Sequence, residues 1–288
     1  MRNPFDALKL RPKWPSASMV VAALALFVGL GGGAYAATQI NGNQIQDGTI
    51  GLKKLNAPTQ GMVAHMDGAH WGVIDRNTIG SAVADPRSGP YGSFGVTGPS
   101  SKPPSGDGSL GIQVSDNATS GSPGAEKVAF GNEVDFLGDP VSGLSQVGFR
   151  VFQTGENAAI NPRNMPNITL EINPHVVGAG SYTSMVWAPD AAPVTDQWSD
   201  YLDATSTGDW YFTGSAGTVT GCNQTTMCSF ADAKAALEAK NDGTPASIYT
   251  VAVTKGRDNT WDGAVDDLRI NSKIYNFEPY GVQEINAS

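Results

Sequence analysis

Histidine and cysteine are almost missing from this chain, with three of the first and two of the second in 288 residues. A zinc site built from those side chains, or a nucleophile activated by a nearby imidazole, has few places to form. His65 and His70 are five apart, not the four that puts two imidazoles on one helix face. His175, after the strand-like EINPHV, reads as a loop residue. Neither a Gly-x-Ser-x-Gly elbow nor a Walker or dinucleotide glycine loop occurs. Charge is scarce too, at 16% of the chain, which is low for a cytosolic protein rich in surface helices. What charge exists is lopsided, a formal −9. Such a surface repels nucleic acid and anionic membranes, and leaves neutral glycans, cations and proteins as partners. No apolar run is long. The longest, Met19 to Leu30 (MVVAALALFVGL), falls short of the roughly 20 residues that span a bilayer.

Glycine is plentiful, with 35 copies, as expected of a β-protein built from strands and turns. The N-terminus has its own character. A basic leader carrying Arg2, Lys9, Arg11 and Lys13 runs into the apolar stretch. Three glycines and Ala34-Tyr35-Ala36 follow, the small-x-small pattern read by signal peptidase. The expectation is a signal peptide over 1–36, cleaved after Ala36, with no membrane anchor remaining. The absence of a twin-arginine pair points to the general secretory route. The 18 lysines and arginines less the leader's four, against 27 acids less its one, leave the mature form near −12.

Residues 37–59 read as a tether. Ile40, Ile45, Ile50 and Leu55 recur every five residues, a period that fits neither a strand nor a helix. Residues 60–107 are loop-rich and belong either to a linker or to the start of the following domain. Within them HWGVIDR and NTIGSAV are strand-like, and Asp85 to Asp107 reads as a long Pro/Gly/Ser loop. From 108 to 288 short strands recur between turn residues. Val147, Phe149 and Val151 alternate with Gly148 and Arg150, and Ile168, Leu170 and Ile172 with Thr169 and Glu171, the period of a half-buried strand. The final WDGAVDDLRINSKIYNFEP reads as two strands turning at Asn271-Ser272. One helix stands out, SFADAKAALEAKND, with Ser229 as N-cap and Phe230, Ala233, Ala236 and Leu237 on its apolar side. Cys222 and Cys228, in GCNQTTMC, predict a small disulfide loop just before it. The expected fold is an antiparallel, jelly-roll-like β-sandwich with one short helix.

The run Gly263 to Ile270 (GAVDDLRI) resembles the last core strand of concanavalin-like and laminin-G-like jelly rolls. With KVAFGNEVDF, VGFRVFQTGEN, NPRNMPNITLEI and YNFEPYGV, it makes most of the chain similar to exported proteins of high-GC Gram-positive bacteria, a group that carries no activity over. The resemblance implies a secreted or cell-wall-associated sandwich domain.

Three residue sets could carry chemistry. Glu133 and Asp135 match the first half of the alternating carboxylate motif of sandwich-fold glucanases, in which alternation aims acids into one cleft. The second glutamate is missing, because Gly138 or Asp139 stands in its place. Asp266 and Asp267 are candidate ligands for a structural calcium. Adjacent strand residues face opposite ways, so only one could serve a given site. The other reading has one of them solvated and the other paired with Lys255, Arg257 or Arg269. Trp187, Trp198, Tyr201, Trp210, Tyr211 and Trp261 have the composition of rings that stack on sugars. The leading expectation is a non-enzymatic module that binds a glycan or another cell-surface component. A glycoside-active enzyme and a structural envelope component are the alternatives.

Overall fold

The computed structural model describes residues 16–22, 54, 55, 59, 70–93, 95–115, 126–191 and 194–287. The chain forms two units, Met1–Gln60 and Gly61–Ser288. In the first, residues 17–22 are helical and exposed. Among the described residues, no helix is long and apolar enough to cross a membrane. The expected cleavage point at Ala36, and the five-residue repeat apart from Leu55, lie outside the described residues.

The second unit is a sandwich of two antiparallel sheets. Six strands make one sheet: β1 (Trp71–Val73), β4 (Lys127–Asn132), β6 (Asn167–Asn173), β7 (Thr183–Ala188), β10 (Asp209–Phe212) and β11 (Ser247–Gly256), in the order β1-β4-β11-β6-β7-β10. Eight make the other: β2 (Val83–Ser88), β3 (Gly108–Val114), β5 (Val147–Gln153), β8 (Gln197–Trp198), β9 (Leu202–Asp203), β12 (Trp261–Ile270), β13 (Lys273–Glu278) and β14 (Gly281–Asn286). Its spine is β14-β13-β12-β3-β2, with β5 alongside β12 and β8 and β9 on β5. Strands from residue 71 onward therefore enter both sheets, and the sandwich starts well before 108. β2 includes Pro86, inside the stretch read as loop. A proline cannot donate to a ladder, and it is tolerated here because β2 is an edge strand.

Alternation sorts the strands. Ile168, Leu170 and Ile172 of β6, and Val147, Phe149 and Val151 of β5, point into one core and are essentially unexposed. Phe149 meets Trp187 edge-on at 5.5 Å between centroids. Trp71, Phe136, Tyr275 and Phe277 pack as an aromatic cluster. Burying each such ring or branched chain contributes roughly 1.5–3 kcal/mol. The hairpin between β12 and β13 turns at Asn271, whose φ of 56° suits asparagine. Its Oδ1 accepts from the Ser145 amide at 2.7 Å.

The expected helix, α3 (Phe230–Lys240), starts at Ser229, whose hydroxyl accepts from the Asp232 amide at 3.1 Å. Two shorter helices precede it in the sandwich, α1 (Gly155–Ile160) and α2 (Gly214–Thr220). Neither was expected. The α2 sequence GSAGTVT has poor helix propensity, and it is held by burial of Ala216 and by Gly221 closing its end at φ 83°. Cys222 and Cys228 are bonded, with 5.5 Å between their Cα atoms. Backbone hydrogen bonds tie this loop to Trp210 and Phe212 of β10, so it covers an edge that would otherwise be open.

Candidate functional site

The side of the six-stranded sheet that faces away from the core carries polar side chains from several strands. Cross-strand register lays Gly131, Ala252, Thr169, Val186 and Tyr211 in one row across five strands. Beside it run Asn167 with Thr254 and Glu171 with Ser184. Asn167, Thr169 and Glu171 of β6, Ser184 of β7 and Thr254 of β11 thus set polar groups into a floor that also holds the apolar Ala252 and Val186.

One half of that floor is roofed. Ile74 sits on Ala129 and Ala252, and its amide donates to the Ala129 carbonyl at 2.9 Å. A side chain at Gly131 would strike Ile74 and the Val251 carbonyl, which explains the glycine in mid-strand. The turn Asp75–Asn77 that follows carries Arg76 and Asn77 to Glu171. Glu171 is 1% exposed. Its carboxylate accepts from Arg76, Asn77, Tyr182 Oη and Thr250 Oγ1, the last at 2.9 Å. Burial opposes its charged form, but these four donors outweigh burial and hold the carboxyl below the usual range. Arg76 also pairs with Glu133.

The other half is open, a groove of about 570 Å³. Asn167, Thr169, Ser184 and Tyr211 line it, with Lys127 at the start of β4 and Arg257 just past the end of β11. Lys127 is fixed through its backbone, which exchanges two hydrogen bonds with Ile79. Its neighbour Glu126 is buried and accepts from the amide and hydroxyl of both Ser81 and Ser115. Burial works against that carboxylate, and the four donors still lower its pKa. Thr254, in the groove floor, is 4% exposed, and its hydroxyl has no partner among the described residues.

The residues singled out from sequence are scattered. Glu133 and Asp135 are not on a strand. β4 ends at Asn132, whose Oδ1 accepts from the amides of Val134 and Asp135, both at 2.9 Å, and turns the chain. The alternation that would aim both acids into one cleft is therefore lost. Asp135 pairs with His70 at 2.7 Å. It lines a separate cavity of about 530 Å³ at the end of the sandwich, with Asp139, Lys273, Tyr275 and Glu284. Burial first, then Glu284, Asp135 and Asp139, push the Tyr275 phenol up.

Trp187, Trp210 and Trp261 are each at most 1% exposed and belong to the core, so none offers a ring face at the surface. Trp198 and Tyr201 lie half-buried over the eight-stranded sheet. Trp198 packs on Phe152 at 5.8 Å and donates to the Ser101 carbonyl at 3.4 Å. Tyr201 covers Gly148. Its buried hydroxyl has no partner among the described residues, and burial, then Asp203, raises its pKa.

Asp266 and Asp267 sit at a register shift in β12, where Asp267 adopts φ 51°. Asp266 is fully buried and accepts from the amides of Phe277 (3.1 Å) and Ser105 (3.4 Å). Burial, then repulsion by Asp267, pushes its pKa up to about 8 against those amides. Asp267 meets Arg150 at 3.4 Å, not Lys255, Arg257 or Arg269. The shift at Asp267 brings it to β5, a partner that strict alternation did not suggest. Among the described residues, no group of three His, Cys, Asp or Glu side chains is placed to hold a metal ion.

Arg76, Glu171, Lys127, Thr254 and Arg257 do not stand out as site residues in the sequence. The available signal was the alternating NITLEI, in which Thr169 and Glu171 stand opposite the core-facing Ile168, Leu170 and Ile172. Comparison with protein-family models, curated proteins and solved structures finds no match to this chain.

Proposed function

We propose that the protein is an exported, non-enzymatic binding module that takes a glycan along the open half of the six-stranded sheet's outer face. The observation that carries this reading is the groove itself. Its lining brings the amide of Asn167 and the hydroxyls of Thr169 and Ser184 together with the half-buried ring of Tyr211. Sugar chains are recognised by such combinations of polar groups and an aromatic face. The basic leader, the Ala34-Tyr35-Ala36 pattern and the Cys222–Cys228 disulfide support an oxidising, extracellular setting. Binding is preferred to glycoside hydrolysis because the acids near the sheet are already engaged. Glu133 pairs with Arg76, Asp135 with His70, and Glu171 is held ionised by four donors. A hydrolytic acid needs the opposite, a carboxyl kept protonated by a raised pKa.

A glycan-array screen of the full chain tests this. Wild type is expected to bind, Tyr211→Ala to lose the signal, and Trp198→Ala, on the other sheet, to keep it. A blank array for wild type, or loss with Trp198→Ala alone, contradicts the reading.

A further inference from the structure

The groove has a charge opposite to that of the molecule. The chain carries a formal −9, yet four cations and only one carboxylate, Asp258, line this surface. Two of the cations are occupied. Lys255 is bound to Asp258 at 2.6 Å and to the Asn259 carbonyl, and Arg163 donates to the carbonyls of Pro189 and Ala188. Lys127 and Arg257 are left. Among the described residues, neither has a carboxylate within 4.0 Å.

Both are held in place. Gly256 pairs with Lys127 across the β11–β4 ladder. Gly256 and Arg257 then take φ values of 146° and 71°, and the Arg257 amide donates to the Glu126 carbonyl at 2.9 Å. The strand end is thereby turned so that Arg257 stands beside Lys127. Burial first, and the guanidinium against the pull of Glu171, lower the Lys127 pKa. Two like charges on a fixed frame, one of them half-buried, are stabilised by an anion between them.

We infer that the glycan taken by this groove is an acidic one, with a carboxylate or sulfate seated between Lys127 and Arg257 and the sugar ring lying on Asn167, Thr169 and Tyr211. This deepens the glycan reading above and depends on it. The long-range repulsion between an acidic chain and this acidic protein then works as a filter, admitting anions only where this pair outweighs it.

Isothermal titration calorimetry on the full chain tests the inference with four probes: an oligogalacturonate, a heparin-derived oligosaccharide, a neutral cello-oligosaccharide and polyglutamate. Either acidic glycan is expected to bind, with affinity falling as salt rises, and the two arms distinguish carboxylate from sulfate. Arg257→Asn keeps a residue suited to φ 71° and is expected to weaken binding about tenfold, the scale of one charge-assisted contact. Lys127→Gln should do the same. Both variants should melt within a few degrees of wild type, which separates lost contacts from lost fold. Neutral glycan bound as tightly, with neither variant weakened, overturns the acidic preference and leaves the glycan reading standing. Polyglutamate bound as well as the acidic glycans overturns it as general anion attraction. No heat with any probe overturns both.

Discussion

Glu171 lies in the middle of β6 with its carboxylate sealed under Arg76, Asn77, Tyr182 and Thr250. Removing it strands four donors, one of them the buried hydroxyl of Thr250. Glu171→Leu is expected to destabilise the protein by about 2–4 kcal/mol in urea denaturation. An unchanged midpoint would mean that the turn Asp75–Asn77 is held by Ile74 alone. Thr254 presents the reverse case. Its buried hydroxyl has no partner among the described residues, so Thr254→Val should leave stability equal or slightly higher, and a clear loss would reveal a hidden partner. Asp266 gives a pH signature. Its folded pKa of about 8 lies above the roughly 3.9 of an unfolded aspartate. The folded state therefore holds a proton that the unfolded state has released. Stability from this group is full below about pH 4 and is lost as pH rises toward 8, by on the order of a few kcal/mol. Asp266→Asn should flatten that fall in melting temperature between pH 5 and 8. Parallel wild-type and variant curves would show that Asp266 is ionised when folded.

At the scale of elements, α3 and the disulfide loop carry their own tests. Ser229→Ala removes the cap on the Asp232 amide and should destabilise by about 1 kcal/mol. Reducing Cys222–Cys228 opens a short loop, so its effect should fall at the low end of the usual ~2–4 kcal/mol. Melting curves with and without reductant measure it, and no shift would mean that the contacts to β10 hold the loop unaided. Elements were legible where period and burial agreed. β5, β6 and α3 follow their alternation or helical spacing, because each has one face in the core. Elements were misread where a side chain redirected the backbone. Asn132 ends β4 and moves Glu133 and Asp135 off the strand, and the shift at Asp267 breaks the alternation of β12. Asn132 is a turn former by its own side chain, but it lies within a run that otherwise reads as strand, and the shift at Asp267 depends on the neighbouring strand. α2 was missed for a related reason, as tertiary burial overrides its weak propensity.

For the whole molecule, the two-sheet sandwich could be read from strand spacing, and the face proposed for glycan binding could not. Of the aromatic set, Trp187, Trp210 and Trp261 fill the core, where area burial is most stabilising, and Tyr211 lines the groove. The groove is built instead from small polar residues whose convergence depends on strand order. Asn167, Tyr211 and Arg257 are distant in sequence and meet because β10, β7, β6, β11 and β4 lie side by side. An acidic total likewise gives no sign of the local cationic pair at Lys127 and Arg257. The most direct test of the account is hydrogen–deuterium exchange of the full chain with and without a saturating acidic oligosaccharide. The account predicts slowed exchange along β6, β7, the end of β11 and the start of β4, with residues 95–107 over the eight-stranded sheet unchanged. Protection confined to residues 95–107 and the Trp198–Tyr201 segment would contradict it and move the site to the opposite face.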